Sequence, residues 1–214
     1  ESLDTSKYPI CNIASGITDP KETTSTTSTT TKKADLACTF NGELMQGSEY
    51  TYGPYTYRYK QEGIFSSSGL AWRNMANDGW GVQLTNKSSS AQITEAPCTS
   101  INSKNVTSYA YLYEGSAASS INVRFNSANV TNMQGMFKET GYTAMQNLNL
   151  GEKFDTSNVT NMQDMFRRTG YTAMTSLNLK NKFNTNSVRN MMAMFWETGC
   201  TAMTSLELGN EFNT

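Results

Sequence analysis

From residue 125 onward the apolar positions recur on one fixed period. Phe125, Phe154, Phe183 and Phe212 lie 29 residues apart, and the same step relates Val130, Val159 and Val188. It also relates Met133, Met162 and Met191, then Met136, Met165 and Met194, then Phe137, Phe166 and Phe195, with no gap needed. Met145, Met174 and Met203 continue the pattern, as do the pairs Leu148/Leu150, Leu177/Leu179 and Leu206/Leu208. Two shorter periods alternate inside each unit. In residues 158–166, Val159, Met162, Met165 and Phe166 fall at steps of three and four, which predicts one face of a short helix or helical turn. Leu177 and Leu179 lie two apart, as on one face of a short strand. Between them Thr169-Gly170 is a helix stop, with the glycine able to turn left-handed. Strand, turn, short helix, turn, repeated over 125–214, predicts a leucine-rich-repeat solenoid. One such unit cannot bury its apolar face alone, so the units must stack.

Ahead of the array the pattern changes. Residues 105–113 match 129–137 at a spacing of only 24, and Tyr109 and Tyr113 stand in for Met133 and Phe137. An atypical terminal unit of this kind reads as a capping repeat and junction over 99–124. Residues 34–98 read as a small β-sheet domain. Tyr50, Tyr52, Tyr55, Tyr57 and Tyr59 alternate with other residues around Gly53-Pro54, and Asp78-Gly79 precedes Trp80–Leu84 as a second hairpin signal. The tyrosine face is expected to be the buried or cross-strand side of this sheet, with a ligand platform as the alternative. Residues 1–33, which contain a pure Ser/Thr run from Thr23 to Thr31, read as a flexible arm or an O-glycosylated stalk. The fold class expected is therefore α+β. The periodic pattern breaks off at Phe212-Asn213-Thr214, so the sequence is expected to be a piece of a longer protein.

Composition narrows the chemistry. The chain has no histidine among 214 residues, which removes Ser-His-Asp and Cys-His nucleophile pairs and His-ligated metals. Nothing points to a carboxylate pair, and the expectation is a protein that is not an enzyme and carries no cofactor or metal. A net charge of −1 supplies no basic field for nucleic acid or anionic membrane. No stretch is apolar enough to span a bilayer, so contact with membrane or wall would run through a segment absent from this chain. The methionine columns sit at core spacing and read as packing. Asn132, Asn161 and Asn190 read as structural amides stacked along the repeats. The four cysteines lack C-x-x-C spacing. Cys38 and Cys98 bracket the middle domain and form the first pairing to test, although four cysteines permit three full pairings. Cys200, in the column of Tyr142 and Tyr171, is expected to be an unpaired, partly buried thiol.

The sequence of residues 158–166, preceded by Phe154-Asp-Thr-Ser and flanked by Leu-x-Leu, resembles the BspA-like leucine-rich repeats of bacterial surface proteins, also described as Mycoplasma lipoprotein-associated repeats. Residues 34–98 more loosely resemble the small sheet domain that precedes such repeats. The resemblance implies an extracellular protein of the bacterial cell surface, engaged in adhesion or host interaction. Comparing the units with one another shows which columns vary and so are free of packing constraint. These are Asn149, Asn178 and Glu207 between the strand leucines, Arg167 and Trp196 after the turn, and Tyr142 and Tyr171 in the inserted segment. They are the candidate binding residues for a host protein or glycan. The alternative is a structural spacer or pilin-like filament subunit with no ligand of its own.

Overall fold

The computed structural model describes residues 36–60, 79–179 and 183–213. The arm expected over 1–33, and Asp78 of the second hairpin signal, lie outside the described residues. The described residues form these short strands: β1 (Ala37–Cys38), β2 (Glu49–Tyr52), β3 (Tyr55–Tyr59), β4 (Trp80–Leu84), β5 (Ser100–Ile101), β6 (Lys104–Ser108), β7 (Ser120–Asn122), β8 (Asn147–Asn149), β9 (Ser176–Asn178) and β10 (Ser205–Glu207).

β1 to β6 form a mixed sheet in the order β1-β5-β6-β4-β3-β2. β2 and β3 pair antiparallel around Gly53-Pro54, so that Tyr50 faces Tyr57 and Tyr52 faces Tyr55. The period-2 pattern resolves as a core face: Tyr55, Tyr57 and Tyr59 are buried together with Trp80, Val82 and Leu84. Tyr52 is exposed because β2 is the edge of the sheet. The sheet does not stop near residue 98. It takes in β5 and β6, and Ser108 at the end of β6 bridges in parallel to Asn132 of the first repeat. β6 thus serves the sheet and the repeat stack at once.

The repeats correct the expected α+β class and leucine-rich-repeat solenoid. Among the described residues there is no helix, and the chain is β-rich. The 158–166 stretch is a run of turns whose amides alternate between two kinds of partner. Met165, Arg167 and Thr169 donate to the carbonyls of Met162, Asp164 and Phe166, three residues back. Met162, Asp164, Phe166 and Arg168 donate instead to Asn190, Met192, Met194 and Trp196 of the next unit, at 2.8–2.9 Å. A helix would keep all of these bonds local at i−4. Left-handed residues prevent that: Gly135, Asp164 and Ala193 in one column, Glu139, Arg168 and Glu197 in another, Gly141, Gly170 and Gly199 in a third. Helix and turn path share the three-and-four spacing because both send every third or fourth side chain inward. Leu177 within β9 and Leu179 just after it are both buried, as the Leu-x-Leu pattern expects.

The stack holds together through columns. Tyr113, Phe137, Phe166 and Phe195 form a continuous ring stack at 5.4–5.5 Å with interplanar angles of 12° or less. Phe125, Phe154, Phe183 and Phe212 form a second ring column at 5.7–6.3 Å, edge-to-face at its first step and stacked at the next two. The asparagines act as expected: Asn132, Asn161 and Asn190 bridge in parallel, and each side-chain oxygen accepts the amide two residues on. Thr140, Thr169 and Thr198 bury their hydroxyls as donors to the carbonyls of Tyr113, Phe137 and Phe166, each at 2.7 Å.

The glycine column requires glycine twice over. Gly170 has φ +51, and an added Cβ would sit 2.5 Å from the Met174 Cβ and 2.9 Å from the Met145 carbonyl oxygen, inside the stack. Gly170→Ala is expected to cost about 3 kcal/mol, from left-handed strain plus overpacking. Gly115→Ala, where φ is +67 but nothing lies within 4 Å, should lose only the strain, about 1 kcal/mol. Denaturant melts of both variants check this, and equal losses would contradict the packing argument.

The Cys38–Cys98 pairing is present, with a Cα–Cα distance of 6.0 Å. Cys200 corrects the sequence reading. It is disulfide-bonded rather than a free thiol, and its partner lies outside the described residues. Its side chain is buried, unlike the tyrosines of its column, so the variation at this position reflects a crosslink and not solvent exposure.

Candidate recognition surface

The inserted turns carry three adjoining columns, one unit of the stack apart along each. In the first, Tyr142 and Tyr171 stack at 4.7 Å with an interplanar angle of 3°. Tyr142 is 38% exposed and Tyr171 is half-buried. The parallel in-register bonding that aligns the units also fixes these rings on one another, with Thr172 N–H donating to the Tyr142 carbonyl. Their column is closed at the third unit by Cys200.

The second column is Lys138, Arg167 and Trp196. Lys138 pairs with Glu114 at 3.1 Å. The Arg167 guanidinium lies 4.3 Å from the centre of the Trp196 ring and 3.4 Å from Asp164. Trp196 is 40% exposed, so one face of a solvent-accessible indole carries a cation. Such pairing holds the ring in place and contributes about 0.5–1 kcal/mol at an exposed site.

Between these two runs a column that the sequence reading missed: Glu139, Arg168 and Glu197, all left-handed. Arg168 bonds Glu197 at 2.6 Å. This bond raises the Arg168 pKa above its ordinary value, and the charges of Glu197 and Glu139 and the Tyr142 phenol add to it. Glu197 is buried, so the pair is a fixed link between units rather than a mobile surface contact. Acid, base, acid at the 29-residue step was visible in the sequence and could have flagged it.

Asn149, Asn178 and Glu207 project outward from β8, β9 and β10, as expected for the residue between two strand leucines. Asn149 bonds Asn122 at 3.3 Å, and Asn178 donates to Glu207. The structure therefore pairs the candidates as Tyr142 with Tyr171, Arg167 with Trp196, and Asn178 with Glu207. Among the described residues no ring contact joins Trp196 to Tyr171. A further feature went unread: a shallow cavity of about 290 Å³ between the β3–β4 end of the sheet and residues 86–95, lined by Pro54, Leu84, Ile93 and Glu95 among others. No sequence motif marks it, because segments far apart in the chain enclose it.

A family model described as Mycoplasma protein of unknown function, DUF285, matches residues 82–206. This is more than half of the chain. The chain belongs to the DUF285 family. The DUF285 match begins inside β4 and ends inside β10, so it covers the end of the sheet, the cap and the repeats that carry all three columns. Comparison with curated proteins and with solved structures gave no match.

Proposed function

We propose that this chain is a recognition module of a bacterial cell surface, an adhesin that presents the turn columns of its repeat stack to a host protein or glycan. The observation that carries the reading is the set of aligned aromatic rings in solvent: the Tyr142–Tyr171 stack and the Arg167-backed Trp196. Rings held rigid before binding lose little entropy on contact, and aromatic residues with arginine dominate the energetics of recognition surfaces. The resemblance of residues 158–166 to BspA-like surface repeats supports the extracellular location. The reading is of a binding protein and not a catalyst, resting on a chain without histidine.

One observation favours a spacer instead. The outward polar side chains of the strands satisfy one another, Asn122 with Asn149 and Asn178 with Glu207. A face of that kind offers little to a ligand, whereas the aromatic columns remain open.

The two readings part in a binding screen of the full chain against host glycans and extracellular-matrix proteins. Saturable binding is expected, weakened at least about tenfold in a Tyr171→Ala/Trp196→Ala variant, the loss of at least 1.4 kcal/mol that an aromatic hot spot carries. Folded protein that binds nothing, or a variant that binds equally well, would favour the spacer.

A further inference from the structure

The cavity between the sheet and residues 86–95 lies apart from the aromatic columns and has a chemistry of its own. Pro54, Leu84, Ala91 and Ile93 supply apolar wall, Gln92 an amide, and Glu95 the one charge among the described residues that line it. The wall is held in place before any ligand arrives. Ile93 donates its amide to the Ser120 carbonyl at 3.1 Å, and its own carbonyl accepts the Asn122 amide at 2.9 Å. Two residues on, the Tyr55 hydroxyl donates to the Glu95 carbonyl at 2.6 Å. Cys98, fixed by its disulfide, donates its amide to the Tyr57 hydroxyl at 2.8 Å. The Glu95 carboxylate, by contrast, meets no hydrogen-bond donor and no cation among the described residues. Its Oε2 rests against Gly53, where an added Cβ would sit only 2.6 Å away. Glycine in the β2–β3 turn, at φ +54, therefore leaves room for the carboxylate beside the cavity.

We infer that this cavity takes a lysine side chain from a partner peptide. A lone carboxylate beside apolar wall selects a cation on an aliphatic stem, whose methylenes pack while the ammonium stays at the rim. An arginine fork would need both carboxylate oxygens, and one of them faces Gly53. No aromatic ring lines the cavity among the described residues, so a sugar has nothing to stack on. Its volume of about 290 Å³ is at the small end of ligand cavities, roughly 300–1,000 Å³, which suits one residue and not a longer ligand.

The test titrates the full chain with Nα-acetyl-lysine N-methylamide, followed by NMR at the Leu84 and Ile93 methyls. Saturation is expected with a dissociation constant on the order of 1 mM. The norleucine analogue, which lacks the ammonium, should bind about threefold more weakly, and Glu95→Gln should weaken the lysine probe by about the same factor. Ala91→Phe, which crowds the apolar wall and keeps the charge, should weaken both probes. The Tyr171→Ala/Trp196→Ala variant should bind the lysine probe unchanged, so failure of the aromatic surface leaves this site standing. Methyls that do not move in the folded chain overturn the proposal. Equal binding by the norleucine probe or by Glu95→Gln also overturns it, as does saturable binding of glucosamine where the lysine probe is silent.

Discussion

Raising the pH above 10 is expected to unfold this protein steeply, with a midpoint between about pH 11 and 13. The cause is a cluster of tyrosines where the sheet meets the first repeat. Tyr55 and Tyr113 share a hydrogen bond of 2.7 Å, and Tyr55 also donates to the Glu95 carbonyl at 2.6 Å. The Tyr57 hydroxyl accepts the Cys98 amide at 2.8 Å, and Tyr109 donates to the Asn126 carbonyl. Burial pushes the pKa of all four well above the usual tyrosine value; repulsion from neighbouring phenolates raises Tyr57, Tyr109 and Tyr113 further, and the Glu95 carboxylate does the same for Tyr55. The sign follows from proton counting. Below about pH 10 these tyrosines are protonated in both states and stability does not depend on them. Above it the unfolded chain releases protons that the folded chain keeps, so stability falls as pH rises. Each tyrosine contributes up to about 1.4 kcal/mol per pH unit, so four together contribute roughly 5, against a total stability on the order of 5–15 kcal/mol. Tyrosinate absorbance and far-ultraviolet circular dichroism should change together, with a shallower slope in Tyr57→Phe. Complete titration near pH 10 with the fold intact would refute the argument.

Removing the Cys38–Cys98 bridge should have the next largest effect. The bond closes a loop of 60 residues, which in the chain-entropy treatment stabilises the folded state by about 4 kcal/mol. Its native partners make the loss direct. β1 is only two residues long and pairs with β5 alone, at the edge of the sheet. Without the bridge, few contacts retain it. A Cys38→Ala/Cys98→Ala variant should melt about 10 °C lower in a chain of this size. The double variant is preferable to a reductant, which would also attack the bond at Cys200. A shift of under about 2 °C would mean that the sheet holds β1 unaided.

The columns were legible in the sequence because packing repeats: each Phe, Met and Leu meets its own equivalent, so the core writes its period into the chain. Cys38–Cys98 and the structural asparagines were legible for local reasons, a bracketed domain and a short side chain that bonds its own backbone. The expected helix failed because side-chain spacing reports only which residues point inward, while the choice between local and inter-unit amide bonds lies in backbone angles. Left-handed Asp164, Arg168 and their equivalents give no compositional signal, unlike Gly170. Cys200 misled because its column otherwise holds tyrosines, and nothing in the repeat marks a crosslink to a cysteine far away in the chain. The extension of the sheet into β5 and β6 was hidden because residues 105–113 also match the repeat, and one strand satisfies both patterns.

The bond at Cys200 has a mechanical consequence. Every other cysteine of the sequence precedes residue 99, so the disulfide at Cys200 closes a loop that contains the repeat units ahead of it. A pull between the two ends would pass through that bond and leave those units unloaded. The loop closed by Cys38–Cys98 could not lengthen either. Under drag only the short stretch after Cys200 would draw out, while the stack behind it kept its length like a buckled strap.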